Sequence, residues 1–122
     1  MLYFGLDGDS IGRVIESYLI ENDAEKLTLF SQKIVTALHT IKQKAEEKEA
    51  EIIFCTGDSI LIYGDIEVEF GDTMLHIFNE KTGRTASVGV GSNLAETYLG
   101  LKLAKSKGGN QSVFYQMNVY NK

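Results

Sequence analysis

A chain of 122 residues supports one hydrophobic core, so one domain is expected across 1–122. With 43% apolar and 24% charged residues the composition excludes a disordered chain, and a net charge of −5 excludes broad capture of duplex nucleic acid, which needs a basic face. No apolar run reaches bilayer length, the N-terminus enters a strand pattern at Leu2 rather than a signal peptide, and the lone Cys55 has no disulfide partner, so a reducing cytoplasm is the expected compartment.

Residues 2–7 alternate, with Leu2, Phe4 and Leu6 on one side and Tyr3, Gly5 and Asp7 on the other, which predicts the first strand. A helix is expected from about Ser10 or Ile11 to Ile20, followed by a break after which Asp23 can cap a second helix. That second helix is long, with Leu27, Phe30, Ile34, Leu38, Ile41 and Ala45 on one face and a solvated, charged end. The runs "EIIFC" and "SILIYG" are separated only by "TGD", which predicts a hairpin. A helix from about Glu67 to Lys81 should bury Phe70, Met74, Ile77 and Phe78. "RTASVGVG" alternates Ala86, Val88 and Val90 against Thr85, Ser87 and Gly89 as another strand. Asn93 is placed to cap a helix bearing Leu94, Tyr98 and Leu101, which ends at Gly108 and Gly109 before a last edge strand, "SVFYQ".

This order predicts an α+β fold close to the ferredoxin-like pattern, an antiparallel sheet with helices on one face. Tyr3, Gly5 and Asp7 would then share a small polar face with Thr85, Ser87 and Gly89. Such a face is either simply wet or roomy enough for a flat ligand or a partner subunit.

"GDSI" occurs twice, at 8–11 and at 57–60. The first copy leads from a strand into a helix, the second from a turn into a strand. A duplicated unit would keep its context, so the repeat is not a duplication. Each copy alone has an ordinary reading: Asp9 or Ser10 as a helix cap, and "TGDS" as a hairpin turn. Together they say more. If the hairpin lies beside the first strand, Asp7, Asp9 and Asp58 converge at one end of the sheet, and like charges that close need compensation. An all-oxygen site suits Mg²⁺ or Mn²⁺, whereas His39, His76 and Cys55 offer no zinc cluster. The turn from Gly8 to Gly12 opens a helix and makes a phosphate cradle. Lys102, Lys105 and Lys107 lie at the end of the last long helix, where they either favour its dipole or reach the phosphates. Metal, cradle and lysines together fit phosphoryl or nucleotidyl transfer.

The segments "YFGLDGDSIG", "FCTGDSILIYG", "RTASVGVG" and "LKLAKSKGGNQSVFY" resemble the palm of GGDEF-type nucleotide cyclases. They are more similar still to the palm of the type III CRISPR large subunit and to the stand-alone minimal CRISPR polymerases, a family linked to anti-phage nucleotide signalling. The resemblance spans nearly the whole chain, with the motifs in order. It implies that Asp7, with the main-chain carbonyl of Gly8, and Asp58 hold the metal. It also implies that Gly8, Asp9, Ser10, Ile11 and Gly12 wrap the β- and γ-phosphates, with Lys105 on the triphosphate. Gly57, Ser59 and Lys102 join the expected nucleotide contacts, and Asp9 stands open between a second-metal ligand and a helix cap. Three departures are visible: Thr56 replaces a glycine, Ser59 replaces an acidic residue, and Gly109 stands where diguanylate cyclases carry a phosphate-binding arginine. These loosen the link to guanine. The expected activity is a magnesium-dependent nucleotidyltransferase joining nucleoside triphosphates, with ATP favoured, into a cyclic oligonucleotide, most simply a cyclic dinucleotide. The expected partners are a second copy in a homodimer and a separate effector that reads the product. The competing reading is a degenerate palm that binds nucleotide as a sensor or scaffold.

Overall fold

A computed structural model of the chain describes residues 1–117. β1 (Leu2–Gly8) leads into α1 (Ile11–Ile20) and α2 (Ala24–Glu47), then into the hairpin of β2 (Glu51–Thr56) and β3 (Ser59–Gly64). α3 (Phe70–Thr82), β4 (Ala86–Gly91), α4 (Leu94–Ser106) and β5 (Ser112–Phe114) follow. The strand order is β2-β3-β1-β4-β5. The first four strands pair antiparallel in the ferredoxin-like arrangement, which agrees with the expected fold class. β5 differs: it pairs parallel to β4, so the sheet is mixed. The intervening α4 supplies the crossover that a parallel pair requires.

One face of the sheet carries the core. Phe4, Leu6, Ile60, Ile62, Val88 and Val90 meet Phe30, Ile34 and Ile41 of α2 and Phe70, Met74 and Phe78 of α3. Phe4 and Phe70 pack edge to face, with ring centroids 5.9 Å apart. Burying side chains of this size stabilises the fold by roughly 1.5–3 kcal/mol each. The predicted caps form: the Asp23 carboxylate accepts from the Lys26 N–H at 3.0 Å, and Asn93 Oδ1 accepts from the Glu96 N–H at 2.8 Å. α3 begins later than expected, at Phe70, because the chain first makes a tight turn in which the Phe70 N–H donates to the Glu67 carbonyl at 3.0 Å.

The opposite, polar face is not left open. α4 lies across it, so the helices do not all share one face as the order of elements suggested. Gly89 is the point of contact: a Cβ there would run into the Thr97 carbonyl and the Leu101 N–H of α4. Gly100 answers from the helix side, where a Cβ would sit 3.3 Å from the Gly89 Cα. The expectation that Thr85, Ser87 and Gly89 line an open face is therefore corrected, and Ser87 is fully buried. Small residues here admit a helix backbone rather than a ligand. What stays open is a cleft of about 210 Å³ between α4 and β3, lined by Gly5, Asp7, Phe54, Leu61 and Tyr98 among others. Among the described residues, no helix is long and apolar enough to cross a membrane.

Candidate active site

Register brings the two GDSI segments together. Asp7 lies opposite Ser59 of β3 on one side and Ser87 of β4 on the other. The hairpin turn is two residues long, with Gly57 at φ +58° in its first position, so Asp58 falls beside the end of β1. The Gly8 N–H donates to the Asp58 carbonyl at 3.1 Å. A Cβ on Gly8 would strike Ile11 and come within 2.9 Å of Asp58 Oδ2. Glycine at this position is what lets the second carboxylate close on the main chain of β1.

The two carboxylates are held differently. Ser59 Oγ donates to Asp7 Oδ1 at 2.5 Å, and the Lys105 ammonium pairs with Asp7 Oδ2 at 3.1 Å. Asp58 has no ion pair among the described residues. Burial, then the charge of Asp7, raises its pKa above the ordinary aspartate value; N–H groups of the turn and Lys105 pull it back only in part.

Asp9 is not the helix cap, one of its two expected roles, and four hydrogen bonds take up its carboxylate. Its Oδ2 accepts from Thr85 Oγ1 at 2.7 Å and from the Asn110 N–H at 2.8 Å; its Oδ1 accepts from Ser87 Oγ at 2.7 Å and from Lys105 Nζ at 3.0 Å. Burial pushes its pKa up, but the bonds from Ser87, Thr85, Lys105 and Asn110 outweigh this and leave it lowered. The carboxylate thus ties β1 to β4, α4 and the turn after α4. It does not cap α1, whose N-cap is Ser10 at φ +57° with no side-chain cap bond. The three carboxylates do lie at one end of the sheet: Asp7 and Asp9 share the Lys105 ammonium, and Asp58 faces the charge of Asp7. No group of three metal-ligating side chains occurs among the described residues.

The cradle residues divide by depth. Ile11 is buried in the core, so only its main chain faces the turn, whereas Ser10 and Gly12 are exposed. With no side chain capping α1, its first N–H groups point out of the helix without an intrahelical acceptor. Beside them lies a polar hollow lined by Asp9, Ser10, Lys105, Gly108 and Gly109. A second hollow, of about 360 Å³, runs between α1 and α2 past Gly12, Ile15, Phe30, Ser31, Gly57 and Asp58.

Lys105 is the centre of the arrangement. Its Nζ donates to the Gly8 carbonyl at 2.7 Å and the Asp7 carbonyl at 3.2 Å, besides the two carboxylates. Lys102 is not brought in; its ammonium sits over the Tyr98 ring, 5.4 Å from the centroid. The reading of the sequence missed Thr85, Ser87 and Asn110 as members of the site. The two-residue spacing of Asp7 and Asp9 at the end of β1, matched by that of Thr85 and Ser87 at the start of β4, was the available signal.

The model of the minimal CRISPR polymerase domain matches residues 3–115. The chain belongs to this family. Minimal CRISPR polymerases share a polymerase-type palm, and membership points to nucleotidyl transfer as the class of chemistry. Among solved structures, the GGDEF domain of DgcB from Caulobacter crescentus in complex with c-di-GMP superposes with a TM-score of 0.63 at 13% identity, covering 93% of this chain and 76% of that one. The active GGEEF domain of a diguanylate cyclase from Vibrio cholerae gives 0.59 at 12% identity, covering 96% and 83%. An EAL/GGDEF domain protein from M. capsulatus gives 0.54 at 18% identity, covering 95% and 84%. At these identities the likeness is one of fold. Among curated proteins, none matches the chain.

An all-oxygen donor set of Asp7, Asp58 and the Gly8 carbonyl fits a hard divalent cation that keeps further positions for water or phosphate. The unpaired, repelled carboxylate of Asp58 is the observation that favours a cation there.

Proposed function

We propose that this minimal CRISPR polymerase palm is a Mg²⁺- or Mn²⁺-dependent nucleotidyltransferase that joins ATP into a cyclic dinucleotide. The observation that carries the reading is the close approach of Asp58 to Asp7 and Gly8, between the uncapped start of α1 and Lys105. Asp7, Asp58 and the Gly8 carbonyl would hold the cation. When bound, it would lower the pKa of a ribose hydroxyl and neutralise charge at the α-phosphate.

The chain's own groups do the rest. Main-chain N–H groups at Ser10 to Gly12 receive the β- and γ-phosphates, aided by the positive end of α1. Lys105 stands beside them for the triphosphate. The hollow past Ile15, Phe30 and Ser31 takes the base; its mostly apolar walls suit adenine, and it offers few groups to read a guanine edge. In the reaction the ribose oxygen bonds the α-phosphorus, the bond to the bridging oxygen breaks, and pyrophosphate leaves.

Two phosphodiester bonds close a dinucleotide ring, and a second copy facing the carboxylate end of the sheet across a two-fold axis would let each nucleotide attack the other. Such a dimer cannot use the Gly89 face, which α4 fills. The product would act in the cytoplasm as an anti-phage signal read by a separate effector. Incubating the protein with each nucleoside triphosphate and Mg²⁺, with mass spectrometry of the products, tests the reading. A cyclic di-adenylate is expected. Nucleotide binding without turnover would establish the sensor or scaffold instead, and exclusive GTP consumption would overturn the base assignment.

A further inference from the structure

Four oxygens from three consecutive residues converge on one ammonium. Lys105 Nζ lies 2.7 Å from the Gly8 carbonyl, 3.2 Å from the Asp7 carbonyl, 3.1 Å from Asp7 Oδ2 and 3.0 Å from Asp9 Oδ1. Two of these, the Gly8 carbonyl and the Asp7 carboxylate, belong to the donor set argued above for the divalent cation. An ammonium is itself a compact, strongly hydrated cation, and its three N–H donors are shared among these four oxygens.

We infer that Lys105 and the divalent cation are alternative occupants of a single seat. This rests on the proposed metal site. Oxygen lone pairs directed at the ammonium are not free for the metal, and two positive ions cannot share the seat at bonding distance. Metal entry therefore expels the lysine from the Gly8 carbonyl and Asp7, and the expelled ammonium needs another anion. Asp9 Oδ1 alone can keep it, while that carboxylate stays fixed by Ser87 on Oδ1 and by Thr85 and Asn110 on Oδ2. The polar hollow next to it, at the start of α1, is where a triphosphate would lie. A triphosphate supplies the missing acceptor, so cation and nucleotide each improve the seat for the other. The coupling is reciprocal by thermodynamic necessity. Lys105 thereby keeps the Asp7 and Asp9 carboxylates compensated while no substrate is present and discourages metal from settling there alone.

Mn²⁺ binding measured by titration calorimetry tests this. Without nucleotide, Lys105→Met should bind Mn²⁺ on the order of tenfold tighter than wild type or better. Lys107→Met, which removes the same charge two residues further on, should change the affinity by less than about threefold. A non-hydrolysable ATP analogue should tighten Mn²⁺ binding to the wild type and do so far less for Lys105→Met. The wild type gives an independent readout. Lysine acylation followed by mass spectrometry should find Lys105 slow in metal-free protein and several-fold faster at saturating Mn²⁺, with Lys107 unchanged. Equal Mn²⁺ affinity of wild type and Lys105→Met, with binding still lost in Asp58→Asn, would overturn the shared seat and leave the proposed function standing. Unchanged Lys105 acylation at saturating Mn²⁺ would overturn it likewise. If no Mn²⁺ binding depends on Asp58 under any condition, the metal site falls and the shared seat with it.

Discussion

Asp9 and Asp58 occupy the same place in two copies of Gly-Asp-Ser-Ile, and their surroundings could hardly differ more. Asp9 accepts four hydrogen bonds, from Thr85, Ser87, Lys105 and Asn110, and its pKa is lowered although it is half-buried. Asp58 has no ion-pair partner among the described residues, faces the charge of Asp7, and has a raised pKa. Even the serines diverge. Ser10 takes a left-handed conformation and caps nothing, while Ser59 fixes Asp7. A tetrapeptide does not carry a role; the backbone that frames it does. One carboxylate holds the site together, and the other faces a like charge with no ion pair among the described residues.

The largest expected effect comes from Asp58, the carboxylate without an ion pair among the described residues. Asp58→Asn should cut nucleotidyl transfer on the order of 10³-fold, since metal charge stabilisation is lost. Its metal-free melting temperature should stay equal or rise, because a repelled charge is gone. A clear fall in melting temperature would make Asp58 a structural acceptor and erase the contrast with Asp9.

Asp9→Asn should do the reverse to stability, lowering it by about 1–3 kcal/mol, because the charged acceptor of four donors is lost. The pH dependence sharpens the contrast. Asp9, with a lowered folded pKa, contributes stability that is present above the ordinary value of 3.8 and is lost as pH falls through its folded value. Asp58 has the opposite sign. Its ionisation carries no cost below 3.8 and its full cost above its raised folded value, so the stability of wild type relative to Asp58→Asn declines as pH rises. Denaturant melts from about pH 3 to pH 7 on both variants would read both slopes. Parallel slopes would refute the assignment.

Gly109→Ala should destabilise by about 1–2 kcal/mol, since φ is +76° and a Cβ would lie 2.6 Å from Asp9 Oδ2. Gly109→Arg, which puts back the residue diguanylate cyclases carry, should be destabilised likewise and gain no triphosphate affinity in a binding titration. Restored affinity on a stable fold would mean that Asp9 yields its place easily. The smallest effect belongs to Ser59→Ala, which removes one hydrogen bond to Asp7 and should cost about 0.5–1.5 kcal/mol in a thermal or denaturant melt. No measurable change would mean that Lys105 alone orients Asp7.

Most of the architecture was legible because periodicity and turn chemistry are local. The alternation in residues 2–7, the apolar face of α2, the hairpin around "TGD", and the caps at Asp23 and Asn93 all emerged near their expected places. The pairing of Asp7 with Asp58 also followed, since it needs only that the hairpin lie beside β1. The parallel β5 and the position of α4 were not legible from periodicity, which reports only that a residue has two sides. The pertinent signal was glycine: Gly89 and Gly91 alternate along β4, and Gly100 sits on the helix that follows. Read as open space, Gly89 with Thr85 and Ser87 suggested a ligand surface; the three glycines mark instead where two main chains touch. The fate of Asp9 was hidden for a related reason, because its donors come from residues 85 to 110, and neither their distance nor their angle is written in a local pattern.

The glycine contact also sets a mechanical tolerance. α4 rests on β4 main chain against main chain, with no side chain between them to act as a cushion. The Lys105 ammonium is carried by that helix, and the oxygens it serves are carried by the neighbouring strand. A methyl group inserted at Gly89, Gly91 or Gly100 would therefore act as a shim, lifting the helix and drawing the ammonium off its oxygens without touching any charged residue. The reach of one lysine is gauged by three residues that have no side chains at all.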